Sequence, residues 1–367
     1  MAITDYYVDP LGGSDTTGDG LSDATAWQTI QHALNSVTRN PTDGDKFNIK
    51  AGAADVLTGT LDFTDYGTPS VGASVFFQGY TSSQGDGGIG EIDGNGNNIS
   101  TNSNVNYVDL ELHNGAATGE LIAISGACIV NCEVHDANNG IRMQNYSSAE
   151  SVNIYDCDTY GLYMTGFSHA RNCYIRSRST DSRGAMTTCI YNDGRPGSTT
   201  NCILSCDSTT NGIHNVDDGC IISNCSILSA GGTGYGILFQ DGAIGSSAWN
   251  NLIEGFSGTG GDGISWQDAS PNEAKGIVAN NTIYDCASPL TNDNDIAAYK
   301  ANNVTPSGSL FVKSGADTYA NRFTYFEPDT DNAGTNISGN GYRGAVVAPS
   351  GGTGGGGTSP KHPLARF

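Results

Sequence analysis

A chain of 367 residues with 15% charged residues and a formal net charge of −22 has too few Lys and Arg to offset a phosphate backbone, which argues against nucleic acid as a partner. The same balance disfavours anionic membranes and, without a bridging cation, polyanionic sugars, and no apolar stretch approaches the length of a membrane span. Glycine at 51 positions, with short β-branched pairs scattered among Ser, Thr, Asn and Asp, predicts many short strands joined by turns. In chain order, segment 1–40 is predicted to be an N-terminal cap. After a Gly/Asp/Thr loop, Ile30, Ala33, Leu34 and Val37 fall at i, i+3, i+4 and i+7. That spacing predicts a short amphipathic helix with its stripe turned inward, the lid that a β-solenoid needs over its first coil.

From 41 to 345 the chain is predicted to be a solenoid. Its signature is apolar-x-Asn-(Cys or Asn)-x-apolar, in copies that open at Ile129, Ala170, Ile222, Ala248 and Val278, with Thr199 opening a sixth. The turn residues are Asn131, Asn172, Asn201, Asn224, Asn250 and Asn280, and a degraded copy is read around Asn153, giving steps of 19 to 30 residues. One coil per step follows. The two apolar positions of the phrase differ in parity, so the inward-facing set changes within it, which a strand cannot do without a bend. Asn suits that bend because its amide satisfies local backbone groups and tolerates unusual dihedrals. Asn from successive coils are also placed to bond in a ladder. Cys132, Cys173, Cys202 and Cys225 share one slot, where a reduced thiol serves as a small hydrophobe; a disulfide ladder is the rival reading. A second mark, Gly before an apolar residue, occurs at Gly140, Gly161, Gly212, Gly236 and Gly263. Two turns and several short strands per coil describe an all-β fold, a parallel β-helix of about twelve coils.

The segment 346–367 is predicted to be an extended Gly-rich arm. Its Gly/Ser/Thr stretch is a linker by composition, and Lys361, His362, Leu364, Arg366 and Phe367 at its end are assigned to assembly with a neighbour. The opening Tyr6-Tyr-Val-Asp-Pro-Leu-Gly-Gly-Ser-Asp15, with Trp27-Gln-Thr-Ile-Gln-His-Ala-Leu34, resembles the start of right-handed parallel β-helix proteins of the pectate-lyase-like superfamily. Bacteriophage tailspike and head proteins are among those it resembles. The stretches 47–52 and 75–80 are similar to the first coils of that family. The resemblance implies a right-handed β-helix but no single activity, since the superfamily holds lyases, hydrolases and non-enzymatic virion parts.

Glycoside hydrolysis needs two carboxyl groups about 5 to 10 Å apart. Asp136, Asp156, Asp158, Asp207 and Glu254 lie near the repeat phrase, and Asp156, Asp158 and Glu254 are the catalytic candidates with His135, which adjoins Asp136. In the frame set by Asn153, Asp156 falls where other copies place Val134, Ile175 or Ile227, so a local bulge is expected to turn it outward; in the core it must be paired or protonated. A lyase needs cations, and Arg171, Arg176, Arg178, Arg183 and Arg195 are the only basic concentration. Arg176 and Arg178 alternate with Ile175 and face outward together, which assigns them, with Tyr155 and Tyr174, to glycan or partner contact. The competing reading balances these cations against acids such as Asp181. A sugar groove is expected to be lined by Tyr155, Tyr160, Tyr174 and Trp266. No pectate-lyase active-site signature, G-x-S-x-G elbow or HExxH is recognisable. Asp15, Asp19, Asp23 and Asp93-Gly-Asn95-Gly-Asn97 are turn residues that complete no EF-hand, so no metal or cofactor is assigned beyond an adventitious Ca²⁺.

Met1-Ala-Ile-Thr-Asp5 opens with no basic n-region or apolar h-region, so no Sec-type leader is expected. Together these features predict a virion structural protein, a capsid decoration or head spike folded in a host cytoplasm. It is expected to form a homo-oligomer, a trimer for preference, and to join capsid or other virion proteins through its arm, with surface polysaccharide as a further contact. The alternative is a tailspike-type polysaccharide depolymerase using outward carboxylates.

Overall fold

The computed structural model describes residues 3–100, 102–177, 186–194, 196–240, 243–267, 276–292, 299–301, 303 and 305. They form a right-handed parallel β-helix. Three parallel sheets run along the coils: twelve described strands from Thr4–Val8 to Tyr299–Ala301, ten from Ala54–Val56 to Thr282–Tyr284, and eight from Glu120–Ser125 to Ser288–Asn292. One coil shows the construction. Strand Cys128–Val130 of the first sheet leads through Asn131 to Glu133–Val134 of the second, through Asp136 to Ala137–Gln144 of the third, and on to Ser148–Glu150, back in the first sheet.

The Asn turn is a left-handed backbone position. Asp109, Asn131, Ser151, Asn172, Asn201, Asn224, Asn250 and Asn280 all have φ between 52° and 58°, a region that Asn and Asp visit more readily than other residues with a side chain. The bend lets side chains of both parities enter one core, so Ile129, Cys132 and Val134 are all buried. Ser151, and not Asn153, makes the turn in its coil; Asn153 opens the strand Asn153–Tyr155 and pairs with Glu133 and Tyr174. Ile154 is therefore the residue in register with Val134 and Ile175. Asp156 stands at the second turn with φ of 50°, the counterpart of Asp136 at 53°, and no bulge is needed to keep it out of the core. The phrase also reaches one coil further back, in Tyr107-Val-Asp109-Leu-Glu-Leu112, with Asp at the turn.

Inside, the column that begins with Cys132 holds free thiols. Cys132 Sγ donates to the Val130 carbonyl at 3.3 Å and Cys225 Sγ to that of Ser223 at 3.4 Å; burial pushes the Cys132 thiol up to about 12. Above Cys225 the same slot takes Asn251, Asn281 and Asn303. Asn251 Nδ2 donates to Asn281 Oδ1 at 3.0 Å, and Asn281 Nδ2 to Asn303 Oδ1 at 3.0 Å. At the outer turns, Asn131 Nδ2 donates to Asp109 Oδ1 at 2.6 Å and Asn250 to Asn224. The glycine of the second mark is required by close approach: a Cβ on Gly236 would lie 2.5 Å from both the Gly263 oxygen and Ile253 Cγ2.

The first coils are closed by the helix Ile30–Ser36, which buries Ile30, Ala33 and Leu34. Thr29 caps it by accepting from His32 N. Strand Thr4–Val8 already belongs to the first sheet, paired with Asp45–Lys50. Along that sheet an aromatic column runs from Tyr6 through Phe47 and Phe77 to Tyr107, with ring centroids 5.5 to 5.8 Å apart.

Candidate functional site

Equivalent positions of successive coils lie about 4.8 Å apart, so outward side chains stack in columns. On the second sheet Glu91, Glu111 and Glu133 share one column. Beside it stand His113, His135, Tyr155 and Arg176. The imidazoles of His113 and His135 stack at 5.1 Å and 9°, His135 and Tyr155 at 4.7 Å and 6°, and the Arg176 guanidinium lies 5.2 Å over the Tyr155 ring. Each ring bonds to the glutamate one coil back. His113 Nε2 is 3.0 Å from Glu91 Oε1, His135 Nε2 is 3.1 Å from Glu111 Oε1, and the Tyr155 hydroxyl donates to Glu133. Asp136 Oδ2 holds His135 Nδ1 at 2.9 Å. Burial, and then the Glu133 bond, raise the Tyr155 phenol above its ordinary value, so it stays protonated and is no base. Like charges opposite each other on neighbouring strands repel, and the rings here relieve a glutamate column. Both faces of His135 and of Tyr155 are covered, and the polar edges named above are engaged.

The structure thus brings His135, Tyr155 and Arg176 together, with Tyr174 on the same sheet in the neighbouring column. Asp136 binds His135 and Asp156 stands at the turn directly after Tyr155, whereas Asp158 and Glu254 lie elsewhere. Asp158 lies beyond the corner on strand Cys157–Met164 of the third sheet. Glu254, expected on the open surface, is only 2% exposed and sits four strands beyond Asn153–Tyr155 in the second sheet. At the strand spacing that is about 19 Å from the Asp156 turn, outside the range for a carboxylate pair. Arg171 is on the first sheet and donates to Glu150 at 2.5 Å. Arg178, Arg183 and Arg195, with the arm residues Lys361, His362, Leu364, Arg366 and Phe367, lie outside the described residues.

The expected aromatic groove is not one feature. Trp266 is buried in the core, stacked on Phe239 at 4.3 Å; Tyr155 and Tyr174 are on the second sheet and Tyr160 on the third. Tyr160 has other neighbours. Arg142, Tyr163, Tyr191 and His214 are in register on four successive strands of the third sheet. Ring centroids are 5.7 Å apart for Tyr160 and Tyr163, 5.0 Å for Tyr160 and Tyr191, and 5.4 Å for Tyr163 and Tyr191. The Arg142 guanidinium lies 5.4 Å over Tyr163 and 3.5 Å from Glu120 Oε1. The Tyr163 hydroxyl donates to Asp193 Oδ2 at 2.9 Å; burial and then that carboxylate raise its pKa. Burial lowers the His214 pKa, against a 2.7 Å bond to Gln240 Oε1. These tyrosines are half-buried, with Tyr160 stacked on Tyr163 at 22° and Tyr191 tilted by 37° and 43° against the two of them. Among the described residues this is the outward cluster richest in tyrosine.

No family model matches the chain, and no curated protein does. Among solved structures it is similar to the pectate lyase Pel9A, at TM-score 0.51 and 14% identity over 81% of this chain and 79% of that one. A rhamnogalacturonan lyase (TM-score 0.45, 12% identity, 74% and 83% covered) and ORF18 of Geobacillus virus E2 (0.40, 12%, 82% and 60%) are also similar. The pectate lyase likeness shows the parallel β-helix fold, and at this identity it transfers no active-site residue.

Proposed function

We propose that this chain is a glycan-binding parallel β-helix that serves as a virion structural protein, with the tyrosine face of the third sheet as its sugar contact. The cluster of Tyr160, Tyr163 and Tyr191, with the guanidinium of Arg142 over Tyr163, carries the glycan half of the reading. A sugar offers apolar C–H faces and hydroxyl edges. Tyrosine matches both, presenting a rigid ring and a polar tip at low entropic cost, while Arg142, Glu120 and Asp193 supply charged groups around the rings. A charge of −22 selects against polyanions, so the ligand is a neutral surface polysaccharide. Binding is favoured over cleavage because Glu254 is buried four strands from the Asp156 coil and His135 is committed to Glu111 and Asp136. Homo-oligomeric assembly through 346–367 is the other half; it is supported by that segment's linker composition and its basic, apolar end.

The test is affinity for a panel of neutral bacterial polysaccharides by calorimetry, with reducing ends assayed in parallel. Tyr160→Ala and Tyr191→Ala are each expected to weaken binding about tenfold, the loss of roughly 1.4 kcal/mol. Binding unchanged in both variants defeats the tyrosine-face reading. Release of reducing ends by the wild type favours the depolymerase alternative.

A further inference from the structure

We propose that Glu91, Glu111 and His113 form a site for one divalent transition-metal ion of the zinc class on the outer face of the second sheet. Glu91 lies on strand Gly90–Asp93 and Glu111 with His113 on Leu110–His113, and Glu91 and Glu111 face each other in register. Each side chain offers one ligand atom, and these atoms lie within 4.8 Å of one another. His113 Nε2 and Glu91 Oε1 are already 3.0 Å apart. Zinc bonds of about 2.0–2.2 Å need ligand atoms roughly 3 to 4 Å apart, so small side-chain rotations close the set.

Three features make this more than a patch of surface acid. The donor set is mixed, one imidazole with two carboxylates, which suits zinc, nickel or cobalt better than the all-oxygen shell of calcium or magnesium. The imidazole is held: His113 stacks on His135 at 9° with its Nε2 edge turned to the carboxylates. Glu111 is also held, since its Oε1 meets His135 Nε2 at 3.1 Å and Asp136 fixes the other nitrogen of that ring, the arrangement by which outer-shell groups orient a ligand. Side-chain exposures of 34%, 36% and 17% for Glu91, Glu111 and His113 leave the remaining coordination positions to water. An ion there also relieves the repulsion of two carboxylates set opposite each other. The site is separate from the tyrosine face, and its presence or absence leaves the glycan reading untouched.

The experiment uses the full chain after EDTA treatment and dialysis, titrated with ZnCl₂ by calorimetry and with CoCl₂ by visible absorption. One equivalent of zinc is expected to bind in the micromolar range, and cobalt to give ligand-field bands of a low-coordinate site. His113→Gln and Glu91→Gln are expected to weaken zinc at least about tenfold and to remove the cobalt bands, while Glu133→Gln, one coil on, leaves both unchanged. Circular dichroism confirms folding of each variant, and either of the first two suffices. Absence of one-to-one binding overturns the proposal. So does binding that persists in the folded His113→Gln and Glu91→Gln variants or is matched by CaCl₂, the behaviour of adventitious ions on an acidic surface.

Discussion

Asp55 sits 3% exposed beneath the cap helix, where its Oδ2 accepts the backbone N–H of Ile30 at 2.6 Å. Asp15 works beside it, accepting from Gln28 N at 2.7 Å and from the Thr29 hydroxyl at 2.7 Å. Burial pushes the Asp55 carboxyl up from 3.8 to about 6, against the pull of the Ile30 N–H and with added repulsion from Asp15. Between those values the folded chain keeps a proton that the unfolded chain has lost. The contribution of Asp55 is therefore best below about pH 4 and falls as pH rises to about 6, by on the order of 3 kcal/mol. Asp55→Asn keeps an acceptor for Ile30 and removes the charge. Urea denaturation should find the variant close to wild type at pH 4 and more stable at pH 7; a less stable variant at pH 7 would mean that the ionised carboxylate's bond to Ile30 outweighs its burial. The carboxylates of Asp9 and Asp23, held below the usual range, act in the opposite sense and are common to both proteins.

The turn and its inner slot set the stability of each coil. Asn281 is fully buried; its Oδ1 accepts from Asn251 N at 2.9 Å and Asn251 Nδ2 at 3.0 Å, and its Nδ2 donates to the Ala248 carbonyl at 3.0 Å. Asn281→Ala strands buried groups on two coils and is expected to cost about 3–4 kcal/mol in a urea melt. Asn281→Cys should cost roughly half of that, because a thiol there can donate to the carbonyl two residues back, as Cys225 does to Ser223. An equal loss for both would show that the amide ladder, and not the filling of the slot, is what matters. This phrase was legible in the sequence because one left-handed position takes Asn in six coils and one inward position takes Cys or Asn. Where Ser151 or Asp109 makes the turn the signature fades, and the nearby Asn153 drew the frame two residues off, carrying Asp156 with it. The cap helix was legible from its apolar period alone. The outer columns were not, since Tyr163, Tyr191 and His214 align across 28 and then 23 residues. Unequal loops hide such a register until the sheets are built.

At the scale of the molecule, each described strand pairs with its counterparts in the coils before and after, so stability accrues as local terms plus neighbour interfaces. The buried core of the described residues runs from Val8 to Ile283, and segment 346–367, with its glycines, has little apolar surface to add to it. If that segment is the attachment arm, deleting 350–367 should leave the far-ultraviolet dichroism and melting temperature unchanged while light scattering shows the oligomer lost and particles fail to take up the protein. An oligomer that survives the deletion moves the attachment to another surface. The outer face of the first sheet is then the next to probe, because Ile221, Trp249 and Ile277 stand on three successive strands there at 44%, 41% and 47% exposure. Isoleucine and tryptophan left that open on adjacent coils of so polar a chain are a patch that charge substitution can test directly: Ile277→Lys would dissolve an oligomer built on this face and leave an arm-built one intact.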